Sequence, residues 1–150
     1  MSSFTSFDGT SEMSISYAAR ASKEAGRDLW VVNEPFSYYV GKKEDNVWVH
    51  VPAGYLTDGA TVPRLFWWLI PPLGQYGQAS VLHDYLREKR YVLRNDVEVM
   101  LSIKETDDIF LEAMTALEVP AWKRYLMYSA VRVYAEAKAM FLRYQAARAA

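Results

Sequence analysis

The sequence predicts an α+β fold: a small N-terminal antiparallel sheet of three to four strands, followed by three to four packed helices, the last one long. Two observations support this prediction. Short segments rich in Val, Tyr, Phe and Trp, residues that suit a pleated and half-buried surface, fill the first third of the chain. Apolar residues at three- and four-residue spacing fill the rest. Because the strands precede the helices instead of alternating with them, we do not expect a parallel βαβ arrangement.

Bulk composition limits the classes of protein to which the chain can belong. Its 150 residues, 51% of them hydrophobic, suit one domain, which we place at residues 13–150 after a flexible arm over residues 1–12. The net charge of −1 gives no reason to expect nucleic acid as a partner. The absence of cysteine excludes disulfides and thiolate chemistry. We expect neither a signal peptide nor a transmembrane segment, because the first residues are polar and no apolar run is long enough.

The predicted strands are short and are bounded by turn residues. They are residues 13–18 (an edge strand), 29–32, 36–40 and 47–51. Residues 19–28 are polar and predict a turn at Gly26. In the last strand His50 alternates with valines, which places it with Trp48 on the half-exposed face.

The predicted helices begin at recognisable start signals. They are residues 63–70, 78–90, 103–117 and 120–148. Pro63 and Pro120 suit a first helical turn, and Ser102 with Glu105 forms a capping box. The last helix has a predicted inner stripe of Trp122, Leu126, Val133, Ala137, Met140 and Tyr144.

Half of a functional site is predicted in residues 57–84, which contain an Asp-Gly turn, an aromatic patch, a double proline and then His83 in a helix. Asp107 is the one carboxylate in the apolar stripe of the next helix. An unpaired carboxylate on a buried face is costly, so we expect Asp107 to contact an imidazole nitrogen of His83. The other nitrogen then points outward, as in hydrolases where a histidine deprotonates water. No serine nucleophile is evident, and we predict His83 and Asp107 as the catalytic residues.

Asp58 and Asp84 are the candidate metal ligands. With backbone carbonyls of a glycine-containing loop they supply the hard oxygen ligands that calcium prefers. Three plainer interpretations stay open. In the first, Asp58 only caps a turn. In the second, Asp84 is solvated or pairs with Arg64. In the third, the pair of His83 and Asp107 is a structural clasp without catalysis.

Several blocks of the sequence resemble a known family. They are VPAGYLTDGATVPRLFWWL, ASVLHDYL, ETDDIFLEAM and VPAWKRYLMYSAVR, over roughly residues 29–135. The series resembles domain-of-unknown-function family 1353, a family of small phage and bacterial proteins. The resemblance implies a phage or prophage origin, with the protein in the host cytoplasm or the phage particle. It implies no particular activity.

A second, local resemblance concerns mechanism. A His-Asp pair in one helix, followed by Asp-x-x-Phe in the next, is similar to the core of secreted phospholipase A-two enzymes. The resemblance implies that His83 activates water, that Asp84 binds calcium and that Asp107 orients the histidine. The paired cysteines of that family are absent here, and PPLGQYGQ is not a clear copy of its glycine-rich calcium loop.

Two functions therefore stay open. The first is a water-activating hydrolase that acts on an ester or amide of a lipid or of the host envelope, with calcium as a candidate cofactor. The second is a non-enzymatic phage protein, either a virion or tail component or a host-factor-binding protein. Its partner, another phage protein or a host factor, would contact the aromatic surface made by Phe66, Trp67, Trp68 and the long last helix.

Overall fold

The computed structural model describes residues 3–6, 13–58, 68 and 76–150, and these residues form eight strands and four helices. The strands are β1 (Ser3–Ser6), β2 (Ile15–Tyr17), β3 (Trp30–Val32), β4 (Phe36–Tyr39), β5 (Val47–Val51), β6 (Leu56–Thr57), β7 (Tyr91–Arg94) and β8 (Val97–Met100). The helices are α1 (Ala19–Ala25), α2 (Gly77–Lys89), α3 (Ile103–Ala116) and α4 (Ala121–Ala149). The predicted α+β class is confirmed.

The strands form two antiparallel sheets. One has five strands in the order β1-β4-β5-β7-β8, and the other has three in the order β2-β3-β6. In β5 the side chains of Val49 and Val51 are buried, while His50 between them is half-buried. His50 Nδ1 lies 3.2 Å from the hydroxyl of Ser37 on β4. The alternation predicted for this strand is therefore confirmed.

One apolar core joins the larger sheet to the helices. It includes Phe36 and Val51 from the sheet, Leu82 from α2, Phe110 from α3 and Met127 from α4. Helix α3 packs on α2 and also on α4. A polar side chain on α3 can therefore meet groups from both neighbouring helices, which is what places the candidate site.

A carboxylate fastens α3 to the larger sheet. Glu112 Oε1 accepts hydrogen bonds from the hydroxyl of Tyr38 and, at 3.0 Å, from the backbone N–H of Gly41. Tyr38 is fully buried, so its hydroxyl needs such a partner inside the protein. This contact fixes the helix relative to β4.

Helix α1 occupies the polar segment in which only a turn was predicted. Its seven residues end at Ala25, and the next residue, Gly26, has φ of 69° and an N–H that donates to the carbonyl of Ser22. Glycine adopts this left-handed conformation without steric cost, so it is the usual residue after a helix C-terminus. The chain does turn at Gly26, but as the end of a helix.

A β-hairpin between α2 and α3 was not predicted. Strands β7 and β8 pair Arg94 with Val97, so that only Asn95 and Asp96 connect them. Both connecting residues have positive φ (48° and 64°), which is the geometry of a type I′ turn. The strands are therefore not confined to the N-terminal third of the chain.

The predicted inner stripe of α4 is wrong. The residues of α4 that are buried in the core are Met127, Val131 and Ala135. Within the predicted stripe only Leu126 is half-buried, and the rest are exposed, Val133 at 69% and Met140 at 70%. Apolar residues lie on several sides of this helix, so spacing alone did not select the face that packs on the domain.

Parts of two predictions concern residues outside the described ranges. Of the helix predicted at residues 63–70, only Trp68 lies within the described residues. Within the predicted arm, the backbone of Ser3–Ser6 forms β1 and pairs with β4. The boundary between an arm and a domain at residue 13 stays a prediction. No helix in the described part of the chain combines the length and apolarity needed to span a membrane.

Candidate functional site

Helices α2 and α3 bring His83 and Asp107 together in the core. His83 lies in the middle of α2 and is 3% exposed, and Asp107 lies in the second turn of α3 and is fully buried. Ser102 starts α3 as predicted, because its hydroxyl accepts from the N–H of Glu105 while Glu105 accepts from the N–H of Ser102. This capping box fixes the start of the helix and so the turn on which Asp107 lies.

The side chains of His83 and Asp107 are in direct contact. His83 Nε2 lies 2.6 Å from Asp107 Oδ1. The imidazole also stacks on the ring of Phe110, with centroids 4.5 Å apart and an angle of 24° between the ring planes. Phe110 is one turn after Asp107, so α3 supplies both the carboxylate and the flat surface that orient the histidine. The expected contact is present, while the catalytic role of the two residues stays a prediction.

Two arginines surround the carboxylate of Asp107. Arg132 from α4 donates to Oδ2 at 2.9 Å, and Arg87 from α2 lies 3.9 Å from Oδ1. Burial alone would raise the pKa of Asp107, but hydrogen bonds from His83 and Arg132 and the charge of Arg87 outweigh it, and the pKa lies below its ordinary value. Asp107 is therefore an ionised carboxylate within the core.

The ionised state of Asp107 decides the tautomer of His83. A carboxylate can only accept hydrogen bonds, so the proton between the two side chains belongs to Nε2 of His83. In the neutral imidazole Nδ1 then carries a lone pair. This Nδ1 atom is buried and has no hydrogen-bond partner in the described part of the chain. The arrangement is that of a base with its second nitrogen held by a carboxylate.

His83 belongs to a row of buried polar atoms along α2. Tyr76 Oη, Ser80 Oγ, His83 Nδ1 and Arg87 Nη1 are all buried without a hydrogen-bond partner among the described residues. Tyr76 lies immediately before α2, and the spacings of three and four residues place Ser80, His83 and Arg87 on one face of the helix. Burial raises the pKa of Tyr76 to about 12, so its hydroxyl stays protonated at neutral pH. Arg87 Nη1 still lies 3.9 Å from Asp107, but the other three atoms have neither a hydrogen bond nor an ion pair among the described residues. Buried polar atoms are normally paired, so such a run is typical of a place where water or a ligand binds.

The residues that sequence reasoning missed are Arg132, Arg87, Ser80 and Tyr76. Arg132 is one of several cations along α4 and has no distinguishing position in the sequence. Its neighbour one turn earlier, Tyr128, donates to Asp108 at 2.6 Å, so α4 supplies a partner for each of the two consecutive aspartates of α3. The sequence did offer one signal for such partners, the adjacent Asp107 and Asp108, because a buried carboxylate requires partners from a neighbouring element.

The candidate metal ligands have protein partners. Asp58 forms an ion pair with Arg27 at 2.9 Å, and Asp84 accepts from the hydroxyl of Thr57 at 2.6 Å. Arg64, considered above as a partner of Asp84, lies outside the described residues. Within the ranges that the structure describes, no group of three or more His, Asp or Glu side chains could hold a metal ion.

Tyr55 connects the two candidate ligands electrostatically. Burial raises the pKa of Tyr55, and the nearby carboxylates of Asp84, Glu88 and Asp58 raise it further. The hydroxyl donates to Glu88 at 3.3 Å. Asp58 and Asp84 thus lie near one phenol, at a place where negative charge accumulates and where Arg27 supplies part of the compensation.

Comparison with known proteins places the chain in a family. A family model described as "Protein of unknown function (DUF1353)" matches residues 30–131. The chain belongs to this family. The match covers α2, α3 and the first part of α4, and with them His83 and Asp107, and it ends one residue before Arg132. The resemblance inferred from the sequence blocks is thereby confirmed.

One curated relative belongs to a bacterium. The chain is 40% identical over 86 residues to "Uncharacterized protein y4jT" of Sinorhizobium fredii (strain NBRC 101917 / NGR234). The aligned region covers 56% of this chain and 23% of the relative, so the match spans less than a quarter of that protein's length. No solved structure matches the chain.

Proposed function

We propose that this chain is a hydrolase in which His83 activates a water molecule for attack on an ester or amide carbonyl. One observation carries the proposal. Nε2 of His83 is held 2.6 Å from the ionised Asp107, while Nδ1 is buried with no hydrogen-bond partner in the described part of the chain. A histidine held in this way is prepared to accept a proton at Nδ1.

Each step of the proposed reaction has a residue to support it. Nδ1 of His83 takes a proton from water as the water oxygen bonds to the carbonyl carbon, and the positive charge that forms on the imidazole lies against Asp107. The buried donor groups of Ser80 and Arg87, one turn before and one turn after His83 on α2, are the candidate donors to the negative oxygen of the tetrahedral intermediate. His83 then returns its proton to the leaving oxygen or nitrogen as the carbon–heteroatom bond breaks.

The proposed class of substrate rests on the two resemblances, to the phage and bacterial family and to the phospholipase core. A phage or prophage origin favours an ester or amide of a lipid or of the host envelope, met in the host cytoplasm or at the particle. Calcium as a cofactor would use Asp58 and Asp84. It would have to compete with Arg27 for Asp58, so we do not make calcium a requirement of the mechanism.

The test compares the two histidines of the chain. Esters of 4-nitrophenol with short and long acyl chains, phospholipid vesicles and purified bacterial envelope serve as substrates, with and without calcium. We expect His83→Gln to lower hydrolysis at least about 100-fold and His50→Gln to leave it unchanged, with both variants folded by circular dichroism. Equal rates for the wild type and His83→Gln, or no hydrolysis by the wild type on any substrate, would contradict the proposal.

A second candidate function is binding without catalysis, as a virion or tail component or as a host-factor-binding protein. The observation that favours it is exposed aromatic and aliphatic surface, with Trp68 82% exposed and large apolar side chains exposed along α4. In that case the pair of His83 and Asp107 is a structural clasp. Finding the chain in purified particles, together with no effect of His83→Gln on any hydrolysis, would favour this function.

A further inference from the structure

The C-terminal half of α4 is not packed against the other described elements. Ala135 is its last buried residue, and every residue over 136–150, all of them described, is exposed or half-buried. The 14 residues from 136 to 149 make a helical extension of about 21 Å at 1.5 Å per residue. An isolated helix of this length is marginal in water, and most helical stability in proteins comes from packing. The extension therefore requires a partner surface.

The exposed side of α4 carries an apolar stripe with the spacing of a coiled coil. Its members follow at intervals of three, four, three, four and three residues, and they are Ala130, Val133, Ala137, Met140, Tyr144 and Ala147. Alternating intervals of three and four define the seam along which two helices pack side by side. The stripe lies on the side of the helix opposite Val131 and Ala135, which are buried against the domain. Among the described residues, none covers the part of the stripe from Val133 to Ala147, whose members are all exposed.

We infer that this stripe pairs with the same stripe of a second copy of the chain, with the two α4 helices antiparallel. The stripe is self-complementary about the point between Ala137 and Met140. In that register the small Ala137 faces the long Met140 of the second copy, and Val133 faces Tyr144. Because the arrangement has two-fold symmetry, each contact occurs twice.

The residues beside the stripe match in the same register. On one side Glu136, which also accepts from Arg132 of its own helix, lies opposite Arg143 of the second copy, which pairs opposite charges. On the other side Tyr134 lies opposite Phe141, which pairs two aromatic rings that are both more than half exposed in the single chain. Charges beside a coiled-coil seam set the partner and its direction. Complementarity of this kind on both sides is the reason to choose a second copy over an unrelated protein.

The first experiment measures the mass of the full chain in solution by light scattering after size exclusion, at about 50 μM, well above a micromolar dissociation constant. We expect twice the 17.2 kDa of one chain. Met140→Glu should give the monomer mass, because it places a charge in the seam. Leu142→Glu is the matched control, since this exposed side chain lies on the opposite side of the helix, and it should leave the dimer intact. A wild-type monomer, or a dimer that survives Met140→Glu, overturns the inference.

Charge reversal tests the register. Arg143→Glu sets two acids against each other twice and should weaken the dimer about tenfold or more. Adding Glu136→Arg restores opposite charges and should recover most of that loss. Failure of the double variant to recover, with circular dichroism unchanged, overturns the proposed register.

Cysteine cross-linking tests the direction, because the natural chain has no cysteine. In the antiparallel arrangement Ala130 faces Ala147 of the second copy. An equal mixture of Ala130→Cys and Ala147→Cys chains should therefore form a mixed disulfide, while Ala147→Cys alone should form little. Rapid cross-linking of Ala147→Cys with itself indicates a parallel pair and overturns the antiparallel one.

Discussion

Nε2 of His83 on α2 and Oδ1 of Asp107 on α3 lie 2.6 Å apart inside the core, although 24 residues separate them in the chain. The carboxylate is fully buried and is also bound by Arg132 from α4. Three helices thus meet at one ionised group. A buried charge of this kind is tolerated only with partners, so the site and the packing of the helices depend on each other.

Asp107→Asn should lower the free energy of unfolding by about 3 kcal/mol, measured by urea denaturation at pH 7. The amide is similar in size, but it removes the negative charge that compensates Arg132 and Arg87. The neighbouring Asp108→Asn is the matched control. Asp108 pairs with Lys104 and Tyr128 on a partly exposed surface, so its loss should cost under about 1 kcal/mol. Equal effects of the two variants would contradict the role assigned to Asp107.

Stability should depend on acid pH through Asp107. The pKa of this carboxyl is lower in the folded chain than its ordinary value of 3.8. Its contribution to stability is therefore fully present above pH 3.8 and is lost as the pH falls through the folded-state pKa. Urea denaturation between pH 2 and pH 7 should show a decline below about pH 4 that is smaller in Asp107→Asn. Parallel curves for the wild type and the variant would show that Asp107 is not the group concerned.

Arg132→Met should destabilise the fold by about 2 kcal/mol, because Oδ2 of Asp107 then loses a charged hydrogen-bond donor inside the protein. Methionine keeps much of the side-chain length, so the loss reports the guanidinium. Arg20→Met is the control, since Arg20 pairs with Glu24 on an exposed surface of α1. The thermal unfolding midpoint of this variant should equal that of the wild type. A thermal midpoint of Arg132→Met equal to that of the wild type would indicate that α4 does not hold Asp107.

Two buried serines should respond in opposite ways to replacement by alanine. Ser80 is 1% exposed and its hydroxyl has no hydrogen-bond partner in the described part of the chain, so Ser80→Ala should leave stability unchanged or slightly raise it. Ser22 is also buried, but its hydroxyl accepts from the N–H of Leu29 and donates to the Leu29 carbonyl. Ser22→Ala should cost about 1–2 kcal/mol.

The same pair of variants reports on function. If Ser80 serves the proposed hydrolysis as a donor, Ser80→Ala should lower the rate about tenfold while the fold stays intact, and Ser22→Ala should not affect the rate of the folded protein. A Ser80→Ala variant that is strongly destabilised would mean that the Ser80 hydroxyl is paired in solution and is not available to a ligand.

The contact between His83 and Asp107 could be predicted because Asp107 is the one carboxylate in the apolar stripe of α3, and a buried carboxylate requires a partner. Helix α2 is buried on most of its sides, so its spacing alone does not define a buried face, and His83 is its one buried histidine. The contribution of Arg132 could not be predicted in the same way. Which cation of α4 reaches Asp107 depends on how far α4 is shifted along α3, and tertiary packing alone decides that shift.

The face of α4 was predicted wrongly for a related reason. Met127 and Val131 define one apolar side, and Val133 and Met140 define another. Both have helical spacing, so the hydrophobic pattern is compatible with either face in the core. The structure uses the first face for the domain, and the second is the one for which we infer a second copy of the chain.

The two unpredicted elements differ in how much signal the sequence offered. The sequence contained a usable signal for the β7–β8 hairpin. Asn95 and Asp96 tolerate positive φ, and these two residues alone separate two segments rich in strand-forming residues. Helix α1 had little, because its seven residues are mostly polar or small and show no apolar stripe. It is held by Ser22, whose bonds to Leu29 could not be foreseen without the fold.

The most direct test of the central claim is the ¹⁵N NMR spectrum of the His83 ring at pH 7, assigned by comparison with His83→Gln. We expect a protonated Nε2 that is bonded to Asp107 and an Nδ1 with the chemical shift of an unprotonated nitrogen, a pattern that should weaken in Asp107→Asn. A proton on Nδ1, alone or together with one on Nε2, would leave no base at that atom at neutral pH, and the proposed water activation by His83 would be wrong.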